Sequence, residues 1–222
     1  MENVDLKKSR MMPERYAERI PFACGLLLAA GECYKQWFLY TIVGQGHYDW
    51  WYFPFQLCSL PMYLCLLLPL FRGKPARRVL CTFMQDFSLL GGVAALLVPD
   101  GFLGVHWSLS LHGVLWHVTL IFLAVFLWLT GQTDRSLSGY VRTLPLFFLC
   151  CAIATAINLL APGQGRADMF YISPYYPITQ PVFHEIALWA GILPGNLIYL
   201  ASVCLGGFLV HLAFRRLDQK YF

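Results

Sequence analysis

Charge is what this sequence has least of. Only 13% of its 222 residues are Asp, Glu, Lys or Arg, against 58% hydrophobic types and 16% aromatics. A soluble domain carries about 25% charged residues, so a water-soluble globular fold is excluded, and so is a disordered chain. The formal net charge of +4 is small and calls for no nucleic acid. Metal-binding spacings are missing too: there is no Cys-x-x-Cys and no His-x-x-x-His, which leaves a structural zinc site without support. Nothing indicates a flavin, haem or nucleotide. Eight cysteines are present, but each falls in an apolar stretch, where Cys serves as a small apolar residue in helix contacts. A secreted-type disulfide framework is therefore not expected.

What the chain does have is long apolar runs. Six are long enough to cross the hydrocarbon core as helices: 20–43, 51–71, 79–98, 106–130, 141–161 and 190–213. They predict one all-α domain over 1–222, a six-transmembrane-helix bundle. The connections support the parse. Lys7, Lys8, Arg10, Arg15 and Arg19 precede the first run, and Arg72, Lys74, Arg77 and Arg78 follow the second. Arg135 and Arg142 follow the fourth, and Arg215, Arg216 and Lys220 follow the sixth. Only Arg166 falls on the other side. Basic residues stay in the cytoplasm, so both termini are predicted to be cytoplasmic. Membrane lipids are the expected partners. The connection 162–189, rich in Pro, Tyr and Phe, reads either as an aromatic belt at the interface or as a lid over an outward-facing cavity.

Polar groups inside hydrocarbon are costly and mark candidate sites. At a rise of ~1.5 Å per residue, Glu32, Lys35, Cys58, His112, Asn158 and Asn196 fall ~5–16 Å below the outer ends of five runs. Gln85 and Asp86 lie deeper, nearer the cytoplasm. A layer supplied by separate helices suggests a wet pocket opening outward. Glu32 and Lys35 share a helix face at i,i+3. Their pairing reads either as mutual neutralisation or as an anionic-headgroup site.

The stretch Phe53-Pro54-Phe55-Gln56-Leu57-Cys58-Ser59-Leu60-Pro61 is the most unusual. Pro61 withholds an amide from the Leu57 carbonyl and predicts a bend beside Cys58. A buried thiol reacts only with a base or cation nearby. His112 is the candidate base and Lys35 the candidate cation, against a plain proline kink and an interhelical histidine hydrogen bond. His117, five residues on and ~140° around the helix, reads as structural.

These residues resemble a known pattern. Glu32 and Lys35 are similar to an intramembrane Glu-x-x-Lys pair, and Phe53 to Cys58 resembles a Leu-Pro-x-His-Leu-Cys motif. Gly91 to Pro99 resembles a Gly-Gly span ending in Val-Pro, and His112-Gly113 a His-Gly at the start of span four. Asn158 and Asp168-Met169-Phe170-Tyr171 resemble an Asn followed by an Asn-Tyr-Met-Tyr-like segment. Over about 20–215 the chain resembles the bacterial YwaF-type integral membrane proteins. That family looks distantly related to a eukaryotic transmembrane phospholipid acyltransferase and, more remotely, to the androgen-induced fatty-acid-ester hydrolases.

The resemblance implies six helices in a bacterial plasma membrane and acyl transfer or ester cleavage on lipids. Cys58 and His112 would be catalytic; Glu32, Lys35, Gln56, Asn158 and Asn196 would contact substrate. Gln56 stands where many relatives have His. The eukaryotic relative's Cys falls about one turn earlier, near Phe55. The competing reading of the same polar layer is a non-enzymatic subunit for binding or transport of a small molecule or lipid.

Overall fold

The structure is a computed structural model and describes residues 14–104, 106–161 and 167–221. Lys7, Lys8, Arg10 and Arg166, four of the charges that set the expected orientation, lie outside the described residues, as does 162–166. Among the described residues every regular element is a helix. We number the α-helices α1 Glu14–Phe38, α2 Leu60–Leu67, α3 Pro75–Leu97, α4 Trp107–Leu129, α5 Leu137–Val141, α6 Leu144–Leu160, α7 Phe183–Ala190 and α8 Ile192–Tyr221.

Among the described residues four helical segments are long and apolar enough to cross a membrane: Pro75–Leu97, Trp107–Leu129, Leu137–Leu160 and Ile192–Lys220. The other two expected runs differ for physical reasons. The α1 helix has the length, at 25 residues, but Glu32, Lys35 and Gln36 make its outer end polar. The run at 51–71 is helical only from Leu57 on. Asp49 accepts from the Trp51 amide at 3.0 Å and caps a single 3-10 turn, Trp50–Tyr52. Pro54 then keeps the chain out of a helix. A fresh start follows, in which the Gln56 amide donates to Ser59 Oγ at 3.4 Å. Pro61 stands in the first turn of α2, where a missing amide costs little, so it begins a helix rather than bending one.

The helix α1 packs on α2 and α4, while α3 packs on α4 and α8. The core extends from Leu68 and Cys81 to Met169 and Phe170 and includes an aromatic cluster toward the basic ends of the helices. There Phe87 stacks on Phe147 at 5.1 Å between ring centroids, and Phe83 packs beside Phe87 at 4.7 Å. The outward faces are apolar rather than charged. Leu111, Leu115, Val118 and Phe122 on α4, and Leu193, Leu197, Leu205 and Leu209 on α8, are all exposed. Stripes of this kind at helical spacing suit hydrocarbon, not water. All eight cysteines are unpaired.

Toward the basic ends, α3, α8 and the α4–α5 connection are tied together by a buried ion pair. His211 Nδ1 lies 2.9 Å from Asp86 Oδ2, and His211 Nε2 lies 3.0 Å from the Ser136 carbonyl. Gln85 Nε2 donates to the second Asp86 oxygen at 2.8 Å. Nearby, the Asp134 amide donates to Thr82 Oγ1 at 2.8 Å.

Candidate functional site

At the opposite end α1, α3, α4 and the segment before α2 enclose a cavity of about 260 Å³. Five of the seven candidate residues line it: Glu32, Lys35, Gln56, Cys58 and His112. Lys35 Nζ lies 2.8 Å from Glu32 Oε1, and Gln36 Nε2 donates to the same oxygen at 2.7 Å. Glu32 is buried, while the Lys35 side chain keeps 21% of its surface open. The acid is thus fixed by two donors, and the ammonium can turn toward a ligand.

Two hydrogen bonds fix the backbone on either side of Cys58. Trp116 Nε1 donates to the Cys58 carbonyl at 3.0 Å, and the Tyr63 hydroxyl donates to the Pro54 carbonyl at 2.7 Å. The thiol therefore hangs from backbone that Trp116, on α4, holds in register with His112 one turn away. The His112 ring sits over Gly31 of α1, where an added Cβ would come within 3.2 Å of Nε2. A larger residue there would push the imidazole back by a few tenths of an ångström. His112 Nε2 is buried and has no hydrogen-bond partner. Among the described residues no hydrogen bond joins Cys58 to His112.

His117, read as structural, also lines the same cavity. Leu109, His112, Gly113, Trp116 and His117 form one stripe, spread over ~140° of α4. The cavity curves around the helix, which five-residue spacing could not reveal. His117 Nδ1 lies 2.7 Å from the Gly113 carbonyl, an acceptor, so this nitrogen carries the proton and Nε2 is a free base in the neutral ring. Phe102 stacks on the ring at 5.0 Å.

Asn158 and Asn196 do not line the cavity, and their amides are engaged elsewhere. Asn158 Nδ2 donates to the Met169 carbonyl at 3.1 Å, and the Met169 amide donates to Asn158 Oδ1 at 2.6 Å. Gln56, from the other side, donates to the Asp168 carbonyl and accepts from the Phe170 amide, both at 2.7 Å. Two side-chain amides thus pair with 168–170 as neighbouring strands would. They hold Phe170 and Tyr171 at φ 60° and 57°, left-handed values that L side chains disfavour. The result is a wall: Phe170, Tyr171 and Gln180 line the cavity. Asn196 Nδ2 secures the next turn by donating to the Ser173 carbonyl at 3.0 Å.

Sequence reading offered the connection as a lid or an interfacial belt, but it did not find the pairing of distant amides that fixes this wall. The one legible hint was the Pro- and Tyr-rich composition of the connection. Burial, with the negative charges of Cys58 and Asp168 when ionised, pushes the Tyr171 phenol up, so it stays a neutral hydrogen-bond donor. Asp168 is pushed up to about 6 by burial, against the pull of the Ser173 amide.

The inner wall is smooth. Gly91, Ala94 and Ala95 lie on one face of α3, Val98 follows just past its end, and a Cβ added at Gly91 would meet open space. The lining therefore combines charged and hydrogen-bonding groups with an apolar face, as an amphiphile would require. Among the described residues no group of three His, Cys, Asp or Glu side chains is placed to share a metal ion.

No curated protein and no solved structure matches the chain. The family model described as the TMEM164 family matches residues 11–210, most of its length. With four helices of membrane-crossing length and composition, the chain is an integral membrane protein and belongs to the TMEM164 family.

Proposed function

We propose that this protein is an intramembrane lipid acyltransferase or lipid-ester hydrolase that works through Cys58 and His112. The observation that carries the reading is their shared cavity: a thiol, an unpartnered imidazole nitrogen and an ammonium line one chamber that also has an apolar face. In the first step His112 Nε2 takes the thiol proton and Cys58 Sγ bonds to the carbonyl carbon of an acyl ester. The C–O bond then breaks, and the leaving lyso-lipid oxygen receives that proton from His112. In the second step a lipid hydroxyl or water gives a proton to the base, attacks the thioester and releases the thiol. Lys35 stabilises the developing oxyanion or the headgroup phosphate. Glu32 orients Lys35. Gln56 contacts substrate as part of the lining, and Asn158 and Asn196 act on it only through the wall they hold.

The reading includes a topology of six crossings. Here α1 and Leu57–Phe71 are the first two, with both termini cytoplasmic and the cavity facing outward. Kinship with the YwaF-type branch and a bacterial plasma membrane belong to the same proposal. One observation favours the rival: without a Cys58–His112 hydrogen bond, the cavity also suits non-covalent binding or transport of a lipid or small molecule.

Intact mass distinguishes the two. Wild type and Cys58→Ala are incubated with mixed phospholipids. The expected result is a fatty-acyl increment that hydroxylamine removes and the variant lacks. An increment that persists in Cys58→Ala sinks the mechanism, and folded wild type with no increment and no lipid turnover favours the binding reading.

A further inference from the structure

A second cleft, of about 440 Å³, opens at the start of α3. Lys74 and Arg78 line it from that end of the helix, Asp134 and Gly139 from the α4–α5 connection and α5, and Arg142 from just past α5. Arg78 precedes Gly91 of the first cavity by about 20 Å along α3, so the two sites are separate. Gly139 lets the walls of the cleft meet: a Cβ there would come within 2.6 Å of Asp134 Cγ.

The lining is positive. Three cations and one carboxylate give it a formal charge of +2. Arg142 Nη1 lies 3.4 Å from Asp134 Oδ2, and the Ser136 hydroxyl donates to Asp134 Oδ1 at 2.7 Å. Burial pushes the Asp134 carboxyl up, but Ser136, Arg142 and Arg78 outweigh it and hold the group below its ordinary 3.8. The acid is therefore ionised at neutral pH, and the surplus of positive charge stands beside it. Lys74, Arg78 and Arg142 are all exposed, and the Lys74 ammonium also lies 5.8 Å from the centre of the Phe71 ring. Three neighbouring arginines are spent on the protein itself. Arg72 Nε lies 3.1 Å from Glu18 Oε1, Arg77 Nη2 donates to Gln132 Oε1 at 2.7 Å, and Arg135 pairs with Asp218. The first turn of α3 holds no acidic residue and no side-chain cap, so the positive end of the helix adds to the field of the cleft.

The spanning segments Pro75–Leu97 and Leu137–Leu160 both begin at this cleft, where hydrocarbon gives way to headgroups. Close along the chain to its lining, Leu70, Leu137 and Val141 are exposed and apolar. A soluble anion would use only the charges; a lipid uses the charges and the apolar flank. A phosphomonoester carries about −1.5 to −2 charge near pH 7 and three acceptor oxygens, which matches the surplus of the cleft and the forked donors of arginine. A phosphodiester brings a single charge. We propose that this cleft binds the headgroup of a membrane lipid that ends in a phosphomonoester. Arg78 and Arg142 donate to the phosphate oxygens, Lys74 supplies the third cation, and the acyl chains follow the exposed leucines and valine. The proposal does not rest on acyl chemistry: it holds whether the first cavity reacts or only binds.

The test is native mass spectrometry of the full chain in neutral detergent, titrated with phosphatidic acid and with phosphatidylserine of the same acyl chains. Phosphatidic acid should bind about tenfold more tightly or better, the worth of one added charge-assisted contact. Arg78→Gln, an exposed change, should weaken phosphatidic acid by about tenfold and leave phosphatidylserine nearly as it was; Arg142→Gln serves as the second variant. Asp134→Asn should move the other way, tightening phosphatidic acid by roughly two- to fivefold because it removes the opposing charge and frees Arg142. Lys35→Gln, in the first cavity, should leave the preference intact. Equal affinities for the two lipids overturn the proposal, as does a preference that survives Arg78→Gln combined with Arg142→Gln. A preference lost in Lys35→Gln places the phosphate in the first cavity and overturns it too. Glycerol 3-phosphate separates the sources: binding as tight as that of phosphatidic acid makes this a site for a soluble phosphate, not a lipid.

Discussion

Two buried ion pairs divide this molecule. Toward the basic ends of the helices Asp86 and His211 are closed: each carboxylate oxygen and each ring nitrogen has a partner within 3.0 Å. At the other end Glu32 and Lys35 are just as close, at 2.8 Å, but they border a cavity of about 260 Å³. Beside them His112 Nε2 has no partner. A charge pair whose valences are all spent holds helices together and does nothing else. A pair left beside empty space, with an idle base and a thiol, can act on a molecule that enters. Burial of polar groups does not separate the two cases; unused hydrogen-bonding capacity does.

The sharpest way to break this comparison is at the chemistry. Cys58→Ala and His112→Ala should each lower lipid turnover by at least ~100-fold, with unfolding midpoints close to wild type. Turnover in nanodiscs, read beside the melting curve, checks both halves. Next in size is the closed pair. Asp86→Leu or His211→Leu leaves one partner buried and alone and should cost ~3–5 kcal/mol, while turnover per folded molecule stays the same. The double replacement should recover much of the loss, a cycle that denaturation of the three variants measures.

Gln56→Ala should have an intermediate effect. It removes two hydrogen bonds from the strained segment and should cost ~1–3 kcal/mol. Because it loosens a wall and touches no reacting atom, KM should rise more than kcat falls. The smallest stability effect belongs to Gly91→Leu. It projects into open space and replaces a helical glycine, so stability should hold or rise by up to ~1 kcal/mol. The filled apolar face should shift selectivity toward shorter acyl chains, measured by competition between lipids of different length. Gly113→Ala is the contrasting control: its Cβ would come within 2.4 Å of Phe102, so stability should fall.

Much of the helical architecture was legible because a bilayer allows few solutions. Long apolar runs must be helices there, and four of the expected runs return as helices of spanning length within a few residues. The two exceptions are instructive. The polar end of α1 and the Asp49–Pro54 interruption lie where the chain builds the cavity, and the functional layer interrupts the hydrophobic signal on which a hydropathy reading depends. Depth counting along separate helices brought Glu32, Lys35, Cys58 and His112 to one level, and all four line the cavity. The same counting brought Asn158 and Asn196 to that level, yet they face the 168–173 backbone instead. Depth fixes one coordinate; the azimuth of each helix comes from packing.

The amino-acid sequence by itself determined the solvent, the helical class and the height of each polar group, because these follow from transfer free energies and a rise per residue. Tertiary structure alone decided which groups share a chamber. It turned Gln56 and Asn158 into a pair of clamps and brought His117 into the cavity that His112 lines. Those outcomes depend on contacts more than 100 residues apart for Gln56 and Phe170. No local pattern encodes them, because the hydrogen bond forms only after the helices have packed.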